Sequence, residues 1–282
     1  MTGKRLRIGV VAPASRIDHA LADEVMALAA SLYPPERLEL HFHPQCFLSS
    51  GHFAGDDAAR AQAFLDIAND PSFQALWIAR GGYGSCRLVE KVLPNLSAVA
   101  AGKTYLGYSD AGTLLAGMYA RGFSALAHGP MPADLKRNGG AEAVTRALRY
   151  LVERAPGTLE PSVAASPKCV AFNIKILSQL LGTPFQPDLG GHVLMLEEVS
   201  EYMYCIDRAL FHITSNPGIR KVAGIRLGRC SEIPPNDPDF GESEVDVIKR
   251  WCALSGIAYL GRADIGHDIA NKIVPFGQPP VA

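Results

Sequence analysis

Residues Thr104–Gly122, TYLGYSDAGTLLAGMYARG, join a strand signal to a helix signal with almost nothing between them. The apolar β-type run Tyr105–Tyr108 leads into Gly112–Ala120, an apolar run that is typical of a helix. Ser109 stands on the turn, where its hydroxyl is expected to project from a sheet edge beside the unsatisfied N–H groups of a helix. This is the pattern of a nucleophile elbow, G-x-S-x-G, with Ala111 at its last position. Alternatively, the Ser-Asp pair only caps the helix.

The composition of the chain is that of an ordinary globular protein. It has 282 residues, 48% hydrophobic and 20% charged, enough for one large domain or two modest ones. A net charge of −1 provides no basic surface for nucleic acid or anionic membrane, and no apolar run has the length of a membrane span. These features predict a protein without nucleic-acid or membrane partners.

The beginning of the chain imitates a secretion signal. Its apolar piece Ile8–Ala12 is too short for the hydrophobic part of a signal and ends at Pro13, so we expect a first buried strand there. The six cysteines are scattered without a C-x-x-C spacing, which favours neither a disulfide framework nor a zinc site and suits a reducing compartment. The sequence therefore predicts a cytoplasmic protein with no metal and no other cofactor.

Strand and helix signals alternate through the N-terminal half. Strands are predicted at Leu6–Ala12, Leu38–His43, Ala75–Ala79 and Phe123–Ala127, and helices at His19–Leu32, Asp56–Ile67, Arg87–Val92 and Ala141–Glu153. This rhythm indicates an α/β domain with a parallel sheet and helices on both faces, in which ligands gather at the carboxyl ends of the strands. Arg80-Gly81-Gly82-Tyr83-Gly84 and Ser109 both follow strands, so we expect them to share one edge.

A proline-rich segment, Ala155–Lys168, interrupts this rhythm and is predicted to be a linker. The first domain would then comprise residues 1–154, and the second residues 169–282. Helices are predicted in the second domain at Asn173–Leu181, Ile206–Thr214 and Ser243–Leu254, and strands at His192–Leu196, Val222–Leu227, Ile257–Leu260 and Lys272–Val274. We expect this smaller domain to be mixed α+β and barrel-like.

A serine nucleophile needs a base, usually histidine, and a carboxylate that orients the base. Of the eight histidines, His267 is the best placed, because it follows a glycine in a loop between strand-like pieces. A surface loop histidine would fit the same context. Glu197 and Glu198 end the strand VLMLEEV, where alternation lets only one of them face a cleft, unless both are solvated at the strand end.

Five segments in order resemble the LD-carboxypeptidase family of serine peptidases, which includes muramoyl-tetrapeptide carboxypeptidases and microcin-C immunity peptidases. They are VAPAS at 11–15, ARGGYGSCRL at 79–88, LGYSDAGTL at 106–114 with HGPM at 128–131, LMLEEVSEYMYCIDRAL at 194–210 and GHDIANKIVPFG at 266–277. The resemblance covers nearly the whole chain. It implies an α/β N-terminal domain, a smaller C-terminal domain and an active site between them.

The resemblance also implies a role for each site residue. Ser109 would be the nucleophile, His267 the general base and then the general acid, and Glu197, the first acid of LEE, would hold the imidazole. The backbone N–H groups of Gly82 and Asp110 would form the oxyanion hole, where losing one donor typically costs about 2.7–4 kcal/mol. Glycine at position 82 lets the backbone approach the substrate without a Cβ in the way.

Three further residues are predicted to contact the substrate. Tyr83 belongs to the RGGYG segment. Phe172 stands where the family has a GGN-type segment and would narrow the cleft; the family pattern is also broken after GYSD, by Ala111-Gly112. Arg80 would bind a terminal carboxylate bidentately, unless it pairs with an acid such as Asp110 and only stiffens the loops.

For the substrate, the resemblance implies the murein tetrapeptide. The cut would fall between the L-centre of meso-diaminopimelate or L-lysine and the terminal D-alanine, in peptidoglycan recycling, by a homodimer. An amidase of peptidyl-nucleotide antibiotics is the alternative within the family; it needs an aromatic platform, and Trp77 and Trp251 fall in predicted core segments. The alternative from another class is a non-catalytic α/β ligand-binding protein in which Ser109 is only a cap.

Overall fold

Two sheets, each accompanied by helices, form the framework of the protein in a computed structural model that describes residues 5–166 and 168–277. The strands are β1 (Leu6–Val11), β2 (Leu38–Phe42), β3 (Ala75–Ile78), β4 (Thr104–Gly107), β5 (Leu126–His128), β6 (Cys169–Asn173), β7 (Val193–Val199), β8 (Gly224–Ser231), β9 (Tyr259–Arg262) and β10 (Val274–Pro275). The helices are α1 (His19–Leu32), α2 (Asp57–Asn69), α3 (Val89–Val92), α4 (Ala98–Ala101), α5 (Gly112–Ala120), α6 (Gly140–Glu153), α7 (Ile174–Leu180), α8 (Met203–Ser215) and α9 (Glu244–Ser255).

The first sheet has the strand order β10-β5-β4-β3-β1-β2, and its neighbouring strands are parallel except β10 and β5. Because β1 lies between β2 and β3, the winding of the chain changes direction there, and open α/β sheets bind ligands at such a point. The carboxyl ends of β1, β3 and β4 lead into Pro13, Arg80 and Ser109. The prediction that RGGYG and Ser109 share one edge is confirmed.

Helices cover both faces of the first sheet because its central strands are apolar on both sides. On one face, Val25 of α1 and Leu148 of α6 belong to a buried cluster with Trp77. On the other face, Phe64 of α2 and Leu114 of α5 belong to a second buried cluster. Each such side chain stabilises the fold by about 1.5–3 kcal/mol relative to its exposed state.

The second sheet has the order β6-β7-β8-β9 and is parallel throughout. Helices α7, α8 and α9 connect successive strands, and a connection that contains a helix is what allows neighbouring strands to run in parallel. The predicted two-domain α/β fold is confirmed. The second half is a parallel sheet, however, where we expected a mixed, barrel-like arrangement.

The chain returns to the first sheet after it has completed the second. β10 pairs antiparallel with β5, and the Phe276 N–H donates to the Leu126 carbonyl at 2.9 Å. Cys169 and Gly277 exchange two backbone hydrogen bonds of 2.8 Å, so the segment 273–277 joins both sheets. β10 thus lies within the predicted second domain but belongs to the first sheet.

The division of the chain at residues 155–168 stays a prediction. Residues 1–4 and 278–282 of the predicted domains, and Pro167 of the predicted linker, lie outside the described residues. In the ranges that are described, no helix combines the length and the apolar character needed to cross a membrane.

Candidate active site

Ser109 occupies the turn between β4 and α5 in a backbone conformation that L residues rarely adopt. Its φ is 61°, in the left-handed region, which costs roughly 1–2 kcal/mol. A Cβ at Gly81 would lie 3.0 Å from the Ser109 Oγ, so the strand-end glycines pass close to this hydroxyl. The buried Asp110 carboxylate accepts hydrogen bonds from the N–H groups of Gly84 (3.3 Å) and Ser85 (2.9 Å). The turn and the RGGYG segment are therefore held together.

A cleft of about 590 Å³ opens beside Ser109. His267 and Gly82 line it together with Ser109, and we call it the cationic cleft because it is also lined by Arg16, Arg80, Lys136 and Arg137. Two acids, Asp18 and Asp134, line it as well, which leaves an excess of positive charge. Such a surface favours a substrate with carboxylate groups.

His267 and Glu197 form a buried pair at the inner end of this cleft. The Nδ1 atom of His267 lies 2.5 Å from Glu197 Oε2, and their exposed fractions are 8% and 0%. Burial alone would lower the pKa of His267, but the Glu197 carboxylate, with Asp134 and Glu198 farther away, raises that pKa above its ordinary value. Because Nδ1 is bound to a carboxylate, Nε2 is the ring nitrogen left to exchange a proton.

The carboxyl end of β7 delivers Glu197 to this pair. The pairing of β7 with β8 shifts in register between Leu196 and Glu198, which turns the strand at this point. On the neighbouring strand, a Cβ at Gly228 would lie 3.0 Å from the Glu197 Cβ, so the absence of a side chain there admits the buried carboxylate.

The loop between β9 and β10 carries His267 and is braced on both sides. The Asn271 Oδ1 accepts a hydrogen bond from the Gly266 N–H (3.3 Å) and meets His128 Nε2 at 3.3 Å. Arg229 of β8 forms ion pairs with Asp264 (2.6 Å) and with Asp268, which flank the histidine. Such bracing fixes the imidazole with respect to both sheets.

Tyr108 and Asp134 form part of the site that the sequence analysis missed. The Tyr108 hydroxyl donates to Asp134 Oδ1 at 2.8 Å, and its ring centroid lies 4.8 Å from that of His267. Burial, and then the Asp134 carboxylate, raises the pKa of Tyr108, so the hydroxyl remains a donor at neutral pH. The sequence signal was the position of Tyr108 immediately before Ser109.

Of the two predicted oxyanion donors, Asp110 follows Ser109 in the chain, and Gly82 lines the same cavities as Ser109. Gly82 has a φ of 114°, and a Cβ there would overlap the Ser15 hydroxyl, so glycine is required on both grounds. In residues 5–166 and 168–277, neither the Gly82 N–H nor the Asp110 N–H is engaged in a turn or loop hydrogen bond to another backbone group. The same described ranges contain no hydrogen bond between the side chains of Ser109 and His267, which share the wall of the cleft.

A second cavity, of about 390 Å³, is also lined by Ser109. We call it the α7 cleft because Asn173 and Lys175, at the start of α7, line it together with Glu198 and Glu201. Ser109 and Gly82 line both clefts, whereas His267, among the described lining residues, faces only the cationic one.

Glu198 points away from His267. Its carboxylate accepts hydrogen bonds from Asn173 Nδ2 (2.5 Å) and from the N–H groups of Lys175 (2.9 Å) and Val199 (2.9 Å). Burial raises the pKa of Glu198 to about 7. The two acids lie on opposite faces of β7, as the strand alternation predicted: Glu197 is bonded to His267, and Glu198 lines the α7 cleft. The alternative that both are solvated at the strand end is wrong, because both are buried.

The predicted substrate contacts have different outcomes. Phe172 is 1% exposed and packs against the Phe276 ring at 5.2 Å, so its prediction as a cleft residue was wrong: β6 turns this side chain into the apolar core. Tyr83 is 52% exposed and lines the α7 cleft. Arg80 lines the cationic cleft and donates to the Arg16 carbonyl at 3.3 Å.

The alternative pairing of Arg80 with Asp110 is wrong, because Arg80 donates to the Arg16 carbonyl instead, and the Asp110 carboxylate accepts from the backbone N–H groups of Gly84 and Ser85. In the described part of the chain, no three His, Cys, Asp or Glu side chains are grouped as a metal ion would require.

Comparisons with known proteins identify the family of this chain. The model of the LD-carboxypeptidase N-terminal domain matches residues 8–129, and that of the LD-carboxypeptidase C-terminal domain matches residues 168–280. A carboxypeptidase-like protein of Synechocystis sp. is 32% identical over 235 residues, 81% of this chain and 76% of that protein. The murein tetrapeptide carboxypeptidase of Pseudomonas aeruginosa is 23% identical over 297 residues, 98% of this chain and 92% of that protein.

Solved structures share the fold. A muramoyltetrapeptide carboxypeptidase from Oxalobacter formigenes has a TM-score of 0.76 at 22% identity and covers 95% of this chain and 93% of its own. MccF in complex with glutamyl sulfamoyl guanosine has a TM-score of 0.78 at 16% identity and covers 98% and 92%. The resemblance noted in the sequence is confirmed, and the chain belongs to the LD-carboxypeptidase family of peptidases.

Proposed function

We propose that this protein is a serine carboxypeptidase that removes the terminal D-alanine from murein tetrapeptides. The observation that carries the proposal is the placement of Ser109, on a strained strand-to-helix turn, in the same cleft as the buried His267–Glu197 pair. A serine that only caps a helix does not need a left-handed backbone, and a ligand-binding cleft does not need a histidine held by a buried carboxylate.

In the proposed mechanism, His267 Nε2 takes the proton of Ser109 as the hydroxyl attacks the scissile carbonyl. Glu197 stabilises the imidazolium that forms and keeps Nδ1 as the donor. The N–H groups of Gly82 and Asp110 stabilise the oxyanion. The imidazolium then protonates the leaving amine, and His267 activates a water molecule that releases the acyl group from Ser109.

This mechanism determines which part of the substrate occupies each of the two clefts. The leaving amine must be within reach of the general acid, and His267 faces only the cationic cleft among the described residues that line the two cavities. The D-alanine therefore occupies the cationic cleft, where Arg80 is the proposed partner of its carboxylate. The acyl part of the substrate occupies the α7 cleft.

The identity of the substrate is supported by the relatives. One relative is named a murein tetrapeptide carboxypeptidase, and a structure with the same fold is titled a muramoyltetrapeptide carboxypeptidase. We extend that substrate to this chain, together with a role in peptidoglycan recycling, a cytoplasmic location and a homodimeric state.

The peptidyl-nucleotide alternative has weaker support from the site. A nucleobase needs an accessible aromatic face for stacking, and on the leaving-group side, in the cationic cleft, the ring of Tyr108 is only 2% exposed. The exposed ring of Tyr83 lines the α7 cleft, on the acyl side. Trp77 lies in the core of the first sheet, and Trp251 is bound to Asp207 away from both clefts.

The proposal is tested by incubating the purified protein with UDP-MurNAc-tetrapeptide and measuring free D-alanine. We expect release from the tetrapeptide with or without EDTA, and none with Ser109→Ala protein. A peptidyl-sulfamoyl nucleotide is the matched competitor. Hydrolysis of that compound without release of D-alanine from the tetrapeptide would contradict the murein substrate and support the peptidyl-nucleotide amidase.

A further inference from the structure

The α7 cleft, which the proposed nucleophile lines, also contains an ion pair. Lys175 Nζ pairs with Glu201, with 53% and 20% of the two side chains exposed, and both residues line the same 390 Å³ cavity as Ser109. The mechanism described above does not use this pair.

The buried Glu198 fixes the backbone from which the Lys175 side chain extends. It accepts the Lys175 N–H at 2.9 Å and Asn173 Nδ2 at 2.5 Å. The Asn173 Oδ1 in turn accepts the Ile176 N–H at 3.1 Å, which caps α7. The backbone that carries Lys175 is thus fixed to β7, and Glu201 follows the end of the same strand. Both charges therefore extend from anchored backbone into the cavity that Ser109 also lines.

A partly exposed ion pair costs little to open. Pairs of this kind contribute about 0–1 kcal/mol, because water solvates both charges when they separate. A ligand that carries an ammonium group and a carboxylate on one carbon can replace the internal pair with two new ones. A ligand with an ammonium group alone satisfies Glu201 but leaves the Lys175 charge without a partner.

We propose that Lys175 and Glu201 are specificity-determining residues that select an acyl residue whose side chain ends in a zwitterionic amino-acid centre. Glu201 binds its ammonium group and Lys175 its carboxylate. The substrate class is a stem peptide with meso-diaminopimelate rather than L-lysine before the scissile bond. This inference rests on the proposed function for its assignment of the acyl side, and Glu198 acts as a positioning residue.

The test uses the tripeptide products, L-Ala-γ-D-Glu-meso-diaminopimelate and its L-lysine counterpart, and measures their binding by calorimetry. We expect the wild-type protein to prefer the diaminopimelate peptide by about fivefold, the equivalent of about 1 kcal/mol. Lys175→Met should bring the ratio of the two affinities close to one, and Lys175→Arg should keep the preference for the diaminopimelate peptide. Glu201→Gln should weaken the binding of both peptides by a similar factor.

Glu244→Gln is the matched control, since the Glu244–Arg262 pair (3.3 Å) is similarly exposed and lines neither cleft among the described residues. It should leave both affinities unchanged. An unchanged ratio in Lys175→Met protein, or equal affinities in the wild type, would overturn the inference. Because the tripeptides lack D-alanine, this result is independent of hydrolysis: selective binding without D-alanine release would refute the proposed function alone.

Discussion

Ser109 combines a chemical role with a strained backbone, and the two can be separated by substitution. We expect Ser109→Ala to lower kcat by about 10⁴- to 10⁶-fold, since only binding and the oxyanion hole would remain. We also expect Ser109→Gly to be equally inactive but more stable than Ser109→Ala by about 0.5–1 kcal/mol, because glycine tolerates the left-handed φ of 61°.

Urea denaturation of the two variants, followed by circular dichroism, provides the comparison. Equal free energies of unfolding would show that the turn does not strain residue 109. A folded Ser109→Ala protein that retains most of kcat would remove this residue as the nucleophile.

Glu197 is expected to control both the orientation and the pKa of His267. Glu197→Gln should lower kcat by about 10⁴-fold, as in protease triads where an amide holds the wrong imidazole tautomer. Glu198→Gln should cause a far smaller loss in kcat and act on the α7 cleft. Comparable losses in the two variants, or a larger one at position 198, would overturn this assignment.

The pH dependence provides a second measurement of the same pair. Burial lowers the pKa of His267, but Glu197 raises it more, so the net pKa lies above the ordinary value of 6.5. Because the base must be unprotonated, kcat/KM should rise with pH, and the midpoint of this rise should lie above pH 6.5. In Ser109→Ala protein, NMR titration should place the His267 pKa above 6.5, and adding Glu197→Gln should move it below, because burial then dominates. An unchanged pKa in the double variant contradicts the coupling.

Arg80 is the third residue with a distinct prediction. A guanidinium binds a carboxylate bidentately, which an ammonium cannot reproduce. If Arg80 binds the terminal carboxylate, Arg80→Lys should severely reduce kcat/KM for the tetrapeptide and spare a substrate with an amidated D-alanine. Loss of rate by the same factor for both substrates would show that Arg80 supports only the loop near Arg16.

The sequence predicted the neighbourhood of Ser109 because strand ends and turns are local features. It did not reveal Tyr108 and Asp134, since a hydrogen bond across 26 residues leaves no periodic signal. It also placed Phe172 in the cleft, because a residue at the end of a strand can face either the cleft or the core.

At the scale of elements, the two departures from the family pattern meet in space. A Cβ at Gly112, the first residue of α5, would lie 3.4 Å from both the Phe172 ring and Ile176. The bulky ring on β6 therefore fills space that a larger residue on α5 would occupy. The two departures are thus neighbours in the structure, and we expect them to compensate for one another.

A double-mutant cycle tests this compensation. Gly112→Thr should destabilise the protein by about 1–3 kcal/mol through overpacking, and Phe172→Ala by about 3–5 kcal/mol through a cavity. The double variant should lose less than the sum by at least about 0.5 kcal/mol, because the threonine enters the vacated space. Strict additivity in urea denaturation would show that the two sites do not share a cavity.

Element bounds could be predicted where the pattern was local. Helices α1 and α5 begin and end at the predicted residues, and the Asp18 side chain caps α1 by accepting the Leu21 N–H. The strand predicted at Lys272–Val274 was found as β10 at Val274–Pro275, but its partner in the first sheet could not be predicted. Pairing between β5 and β10 joins residues about 146 positions apart, as with Val274 and His128, and no local signal records it.

At the scale of the whole molecule, the proposed site exists only where the two sheets meet. Ser109 follows a strand of the first sheet, Glu197 lies near the carboxyl end of a strand of the second, and His267 lies in the loop that leads back to the first. The segment 273–277 is hydrogen-bonded to both sheets, and Phe276 packs between Phe172 and Tyr119. A relative motion of the sheets would therefore separate the nucleophile from its base.

These contacts predict that the two halves unfold together. The fluorescence of the two tryptophans reports on the two halves separately: Trp77 is buried in the first sheet, and Trp251 lies on α9 beside the second. In Trp251→Phe and in Trp77→Phe protein, we expect the fluorescence of the remaining tryptophan and far-UV circular dichroism to give coincident urea transitions, as a cooperative unit requires.

Phe276→Ala should lower the urea midpoint that the fluorescence of either tryptophan reports. The substitution leaves a cavity between the halves, which typically costs about 3–5 kcal/mol of stability. If fluorescence and circular dichroism separate in the single-tryptophan proteins, or if Phe276→Ala shifts only the half that reports through Trp251, the halves are independent domains. The division at residues 155–168 would then be a thermodynamic boundary, and the proposed triad would depend on docking rather than on folding.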